Sequence, residues 1–226
     1  MGTLSNNGSP HERLIRHLAA DLAPVRRLRS PAIRALGWLA IVAAIAILLG
    51  MFADLPAIGD RLAATPDMWL AVVGSAATAV LAVFAAFQLS LPDAPRVWAA
   101  LPLPAALLWV AASGFGCLRT WFVTGTHAAD LSEARDCLLF IVALSVPLSA
   151  LLVVMLRRAC PLQPGLVTLI AGLAAAAAAA TLLNFFHPFD AAAIDLTVHA
   201  VAVTLVILAN RAFGGLLLTQ NFSATA

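Results

Sequence analysis

Hydrophobic residues fill this chain in six long stretches separated by short polar connections, and the pattern changes character only ahead of Ala35. The stretches are Ala35–Phe52, Met68–Leu91, Val97–Cys117, Cys137–Leu156, Gly165–Phe186 and Ala191–Leu217. At a rise of about 1.5 Å per residue, each is long enough to cross roughly 30 Å of hydrocarbon. Lipid-exposed backbone must satisfy its polar groups within its own segment, so each stretch is expected as a helix. The first five carry no formal charge, whereas the sixth carries Asp195, His199 and Arg211 and fits the pattern least well. Short connections make consecutive spans antiparallel neighbours. Pro102, Pro104 and Pro147 are expected to bend their spans. The alanine run at 174–180 allows close helix contact and reads as packing rather than function.

Ahead of the spans, Ser9–Arg34 is the longest polar stretch and holds six of the thirteen basic residues. Ser9, Pro10 and Glu12 fit an N-cap, an N1 proline and the N3 member of a capping box, so a helix is expected to start there. Leu14, Ile15, Leu18 and Leu22 then fall on one face, with Arg13, Arg16, His17 and Asp21 off it, and Glu12 to Arg16 is a favourable i,i+4 pair. Pro24 is expected to end this helix. Val25 to Arg29, which includes Arg26 and Arg27, is a basic connector, and Ser30-Pro31 repeats the cap signature at the mouth of the first span. Two roles suit such a helix. It can rest its apolar stripe on the bilayer with arginines on lipid phosphates, or insert that stripe into a groove on a protein partner. Arg26-Arg27 ahead of an apolar run also has the look of a twin-arginine export signal, but further spans follow and no cleavage site does.

Composition agrees with the pattern: 62% of residues are hydrophobic and 11% charged, against about 25% charged in soluble domains. The mean hydropathy is +0.98. The expectation is therefore an all-α polytopic membrane protein, a six-transmembrane-helix bundle with a short cytoplasmic N-terminal amphipathic helix. Residues 1–34 form the N-terminal segment, 35–217 the transmembrane domain and 218–226 a cytoplasmic tail. There is no Lys, so every formal cation is an Arg. On this topology ten arginines lie on the side of the termini: Arg13, Arg16, Arg26, Arg27, Arg29, Arg34, Arg96, Arg157, Arg158 and Arg211. Only Arg61, Arg119 and Arg135 lie opposite. The positive-inside rule then puts both termini in the cytoplasm.

The same topology gathers candidate chemistry on the outer side. Cys117 closes the third span and Cys137 opens the fourth, with His187, Asp190, Asp195 and His199 around the turn into the sixth. Asp195 and His199 are four apart and share a helical face, a usable spacing for two metal ligands. These six residues make a candidate signal-sensing site for metal or oxidant, because an ionisable group inside a span is a functional hypothesis by default. The structural alternative stays open: His199 pairs with Asp195, His187 and Asp190 cap helix ends, and the cysteines pack as small residues. No Walker loop, GxSxG elbow, HExxH helix or dinucleotide fingerprint is present, and no loop is large enough for a soluble catalytic domain. The expectation is a protein that is not an enzyme, needs no cofactor and does not contact nucleic acid directly.

LAADLAPVRRLRSP at 18–31, LSLP at 89–92, LPLP at 101–104, GCLR at 116–119, ARDCL at 134–138 and FHPFDA at 186–191 stand in order on this six-span frame. Together they resemble the negative-regulator-of-sigma-F (NrsF) family, six-span anti-sigma factors of the bacterial inner membrane. The resemblance implies that the N-terminal segment holds a sigma factor of the extracytoplasmic-function type at the membrane until a stress signal arrives. It also implies an outer signal site centred on Cys117 and Cys137. In that role Arg13, Leu14, Ile15, Arg16, Leu18, Leu22, Arg26 and Arg27 are the partner-binding residues. The competing class is a small polytopic transporter or membrane redox protein using Asp195, His199 and the bent spans. A third is a scaffold whose tail binds only the lipid bilayer.

Overall fold

The computed structural model describes residues 9–20, 28–64, 66–124, 131–159, 161–183, 193–214 and 218, and all regular structure among them is helical. Helix α1 runs Pro10–Ala20, α2 Pro31–Gly50, α3 Leu55–Ala64, α4 Pro66–Leu89, α5 Leu103–Thr124, α6 Leu131–Arg157, α7 Pro164–Leu183 and α8 Ala193–Ala209. A short 3-10 helix, Arg96–Ala100, precedes α5, and a π-helical turn, Asn210–Gly214, extends α8.

Five segments are long and apolar enough to cross a membrane: Pro31–Gly50, Met68–Leu89, Arg96–Phe115, Leu138–Arg157 and Pro164–Leu183. They coincide within a few residues with the first five stretches read from the sequence. The last helix meets that standard only as a shorter apolar piece, Ala200–Gly214. That piece runs through the π turn and includes Arg211.

The caps read from the sequence are in place. The Ser9 hydroxyl accepts from the Glu12 N–H at 3.3 Å, and the Ser30 hydroxyl accepts from the Ile33 N–H at 3.4 Å. Two local features differ from expectation. The connection after the first span contains α3, opened by the Asp54 carboxylate accepting from the Ala57 N–H at 3.1 Å, and Ile58 of this helix is buried. The third span is divided rather than bent: Pro102 lies in the turn between the 3-10 helix and α5, and Pro104 falls in the first turn of α5, where a missing N–H costs nothing. By contrast, α6 continues through Pro147.

The core is organised around α7, which packs against α4, α6 and α8. Its residues 174–180 are all buried alanines. The same core cluster holds Ala79, Ala82, Ala85 and Ala86 of α4 and Leu148 and Leu152 of α6. Between apolar helices in lipid, association rests on close packing and interhelical hydrogen bonds, and side chains ending at Cβ bring backbones together. Two glycines carry this furthest. A Cβ on Gly74 would stand 2.8 Å from the Trp109 backbone, and one on Gly172 would stand 2.8 Å from Asn210 Cβ and 3.0 Å from Ile207 Cα. Hydrogen bonds between helices add direction. Trp38 Nε1 of α2 donates to the Leu148 carbonyl of α6 at 3.3 Å, Thr181 Oγ1 of α7 donates to Ser75 Oγ of α4 at 2.9 Å, and Asn210 Nδ2 donates to Ser149 Oγ of α6 at 2.9 Å.

Candidate functional site

Two regions hold the residues that chemistry singles out, at opposite ends of the bundle. The first begins with α1. Every described residue from Ser9 to Ala20 is exposed, including Leu14 at 58%, Ile15 at 63% and Leu18 at 60%. These three lie on one side of the helix, and Arg13 and Arg16 are exposed off that stripe. An isolated helix of 11 residues is marginal in water, so its apolar face calls for a partner surface, of lipid or of protein. Leu22, Arg26 and Arg27, together with the expected helix end at Pro24, lie outside the described residues.

Where this segment enters the bundle, Arg34 is held on two sides. One turn past the Ser30 cap of α2, its Nη2 donates to the Met155 carbonyl near the end of α6. Its guanidinium also lies over the Phe87 ring of α4, 4.6 Å from the centroid. Arg34 is half-buried, and a cation over an aromatic face in such a setting is worth about 1 kcal/mol. In the sequence Arg34 stands as one more charge of the basic segment; an arginine one turn inside an apolar helix is the signal that marks it. These contacts bring the start of α2 to the ends of α4 and α6. With Thr168 of α7 meeting Gly214 beyond α8, Arg34, Arg96, Arg157, Arg158 and Arg211 belong to one end of the bundle.

The opposite end carries the sensing candidates. Cys117 lies in α5, Cys137 in α6, and Asp195 and His199 in α8, all four with side chains outside the described residues. His187 and Asp190 lie wholly outside them. The helices run beyond the cysteines, with α5 continuing to Thr124 and α6 starting at Leu131, so both cysteines lie one to two turns inside helices. Of the described residues, α8 packs against both α5 and α6, while α5 and α6 share no extensive contact. The elements bearing the two cysteines therefore meet through the helix that carries Asp195 and His199. Among the described residues no group of three His, Cys, Asp or Glu side chains is placed to hold a metal.

An exposed amphipathic helix ahead of five apolar helices long enough to span a bilayer is the pattern of a polytopic membrane protein. The chain belongs to the family described as negative regulator of sigma F (NrsF), whose model matches residues 18–219. Negative regulation of a sigma factor is the function that goes with this family, and a sigma factor is the partner it implies. The match begins inside α1, so Arg13, Leu14, Ile15 and Arg16 precede it. No curated protein and no solved structure matches the chain.

Proposed function

We propose that the protein is an anti-sigma factor of the bacterial inner membrane that sequesters a sigma factor of the extracytoplasmic-function type on its N-terminal segment. The observation that carries this reading is the exposed apolar stripe of α1, Leu14, Ile15 and Leu18, on a protein whose family regulates a sigma factor. The stripe enters an apolar groove of the sigma factor, as one helical face suffices to do. Arg13 and Arg16, joined by Arg26 and Arg27, meet acidic residues at the groove's rim, and Leu22 extends the stripe. Held this way, the sigma factor is kept from RNA polymerase. The protein acts by binding and not by catalysis.

Both termini are cytoplasmic on this reading, and six helices cross the membrane, with α8 and its π turn as the sixth. The outer end, with Cys117, Cys137, His187, Asp190, Asp195 and His199, receives the stress signal, an oxidant or a metal. Binding that favours one arrangement of the bundle shifts the population towards it. Arg34 lies at the point where such a shift reaches the N-terminal segment, because it ties the start of α2 to α4 and α6.

The test uses the full chain. Leu14→Glu with Leu18→Glu is expressed beside the unaltered protein, each is purified from membranes, and retained sigma factor is identified by mass spectrometry. Retention by the unaltered chain and loss by the variant is the expected result. Equal retention by both would remove α1 from the binding surface.

A further inference from the structure

Between α6 and α8, which run parallel on the same side of α7, a groove of about 470 Å³ opens on the bundle surface. That volume lies within the roughly 300–1,000 Å³ of small-molecule sites. Its walls are apolar, with Val142, Val146, Val153, Leu205 and Phe213, and Arg157 stands at one end. Its floor is polar. Ser145, Ser149 and Asn210 line it, and the Asn210 amide donates to Ser149 Oγ and to the Val206 carbonyl, each at 2.9 Å.

Ser145 is different. Thr78, Thr168 and Thr204 each donate to a carbonyl one turn back in their own helices, and Ser75 and Ser90 do so at i−3. Ser145 is fully buried, and its Oγ is the one buried side-chain polar atom without a partner among the described residues. A buried hydroxyl left unmatched is more costly than a hydrogen bond gained is favourable, so such an atom signals a missing partner. The π turn at Asn210–Gly214 forms part of the groove wall, and such turns recur at functional sites.

We infer that this groove is a binding site for an anionic amphiphile whose acyl chain carries a hydroxyl or carbonyl oxygen part-way along it, the charged head on Arg157 and the in-chain oxygen on Ser145. The dimensions suit the assignment. Twelve residues separate Ser145 from Arg157 along α6, roughly 18 Å at about 1.5 Å per residue, which sets the oxygen well into the hydrocarbon. Arg157 is exposed at the end of the span, and arginines there reach for anionic head groups. A plain hydrocarbon chain fills the apolar walls but leaves Ser145 unmatched, whereas a chain oxygen satisfies it.

The test is binding of 12-hydroxystearate and of stearate to the purified full chain in neutral-lipid nanodiscs, measured by displacement of a fluorescent fatty acid. Wild type is expected to bind the hydroxylated chain about fivefold more tightly, the difference one hydrogen bond makes. Ser145→Ala removes that preference and leaves stearate binding unchanged. Arg157→Gln weakens both, while Arg135→Gln, at the far end of the bundle, weakens neither. Equal affinity of wild type for the two acids, or a preference that survives Ser145→Ala, overturns the inference. So does absence of binding to either acid together with an oligomer that Ser149→Leu dissociates, which would assign the groove to a second copy of the chain. These readouts do not involve the sigma factor, so they stand or fall separately from the proposed function.

Discussion

Gly172 and Trp38 show how single side chains set the geometry of this bundle. On α7, Gly172 faces Asn210 and Ile207 so closely that any Cβ would overlap them. Gly172→Leu forces α8 away from α7, an overpacking cost of about 1–3 kcal/mol. The expected outcome is a lower thermal midpoint of the detergent-solubilised protein, together with loss of the Asn210 to Ser149 bond that fixes α8 against α6. Trp38 is fully buried and donates to the Leu148 carbonyl. Trp38→Phe keeps most of the ring packing and removes the donor, so its expected loss is smaller, about 1 kcal/mol. A larger loss from Trp38→Phe than from Gly172→Leu in the same thermal assay would reverse this ranking of packing over hydrogen bonding. Arg34 belongs to the same class of residue: its cation is matched by a carbonyl and a ring face, both supplied by helices far away in sequence.

At the scale of elements, α1 and the bundle differ in kind. The helix from Pro10 to Ala20 is recognisable from its caps and periodicity, and it buries none of its residues. The bundle helices bury theirs according to position, most completely in α7 and least in α2 and the third span. Because α1 buries none of its residues, the protein without residues 1–25 is expected to remain folded and membrane-inserted. Sigma-factor inhibition, read from a target-promoter reporter, is expected to vanish. A transporter relying on Asp195 and His199 would behave oppositely, keeping its activity without those residues. Full inhibition by the truncated chain would move the binding surface to the loops near Arg96 and Arg157.

For the molecule as a whole, most arginines sort to one end of the bundle, with Arg34 and Arg158 at the end where α2 begins and α6 finishes. The positive-inside rule turns that asymmetry into an orientation. Reporter fusions at both termini are expected to show cytoplasmic activity, and a reporter placed within 125–130 is expected to show the opposite. Opposite sides for the two termini would mean an odd number of crossings and would take α8 out of the membrane. Replacing Cys117 and Cys137 together by Ser is expected to abolish induction of the target promoter by oxidant while leaving basal repression intact. An unchanged response would remove the cysteines from signalling.

Much of this architecture was legible in the sequence because hydrophobic runs report the solvent each residue faces. Uncharged stretches of about twenty residues identify membrane-spanning helices without reference to any neighbour. Ser9 and Ser30 announced helix starts through local hydrogen bonding, and the exposed stripe of α1 followed from spacing alone. The features that depend on neighbours were not legible. In lipid, an adjacent helix and an acyl chain are equally apolar, so hydropathy does not say which helix touches which. The central place of α7, apolar on all sides, was decided by steric fit between its alanines and those of α4. The division of the third span at Pro102, the approach of α8 to Gly172, the anchoring of Arg34 by α4 and α6, and the groove floored by Ser145 were likewise decided only when residues distant in the chain met in three dimensions.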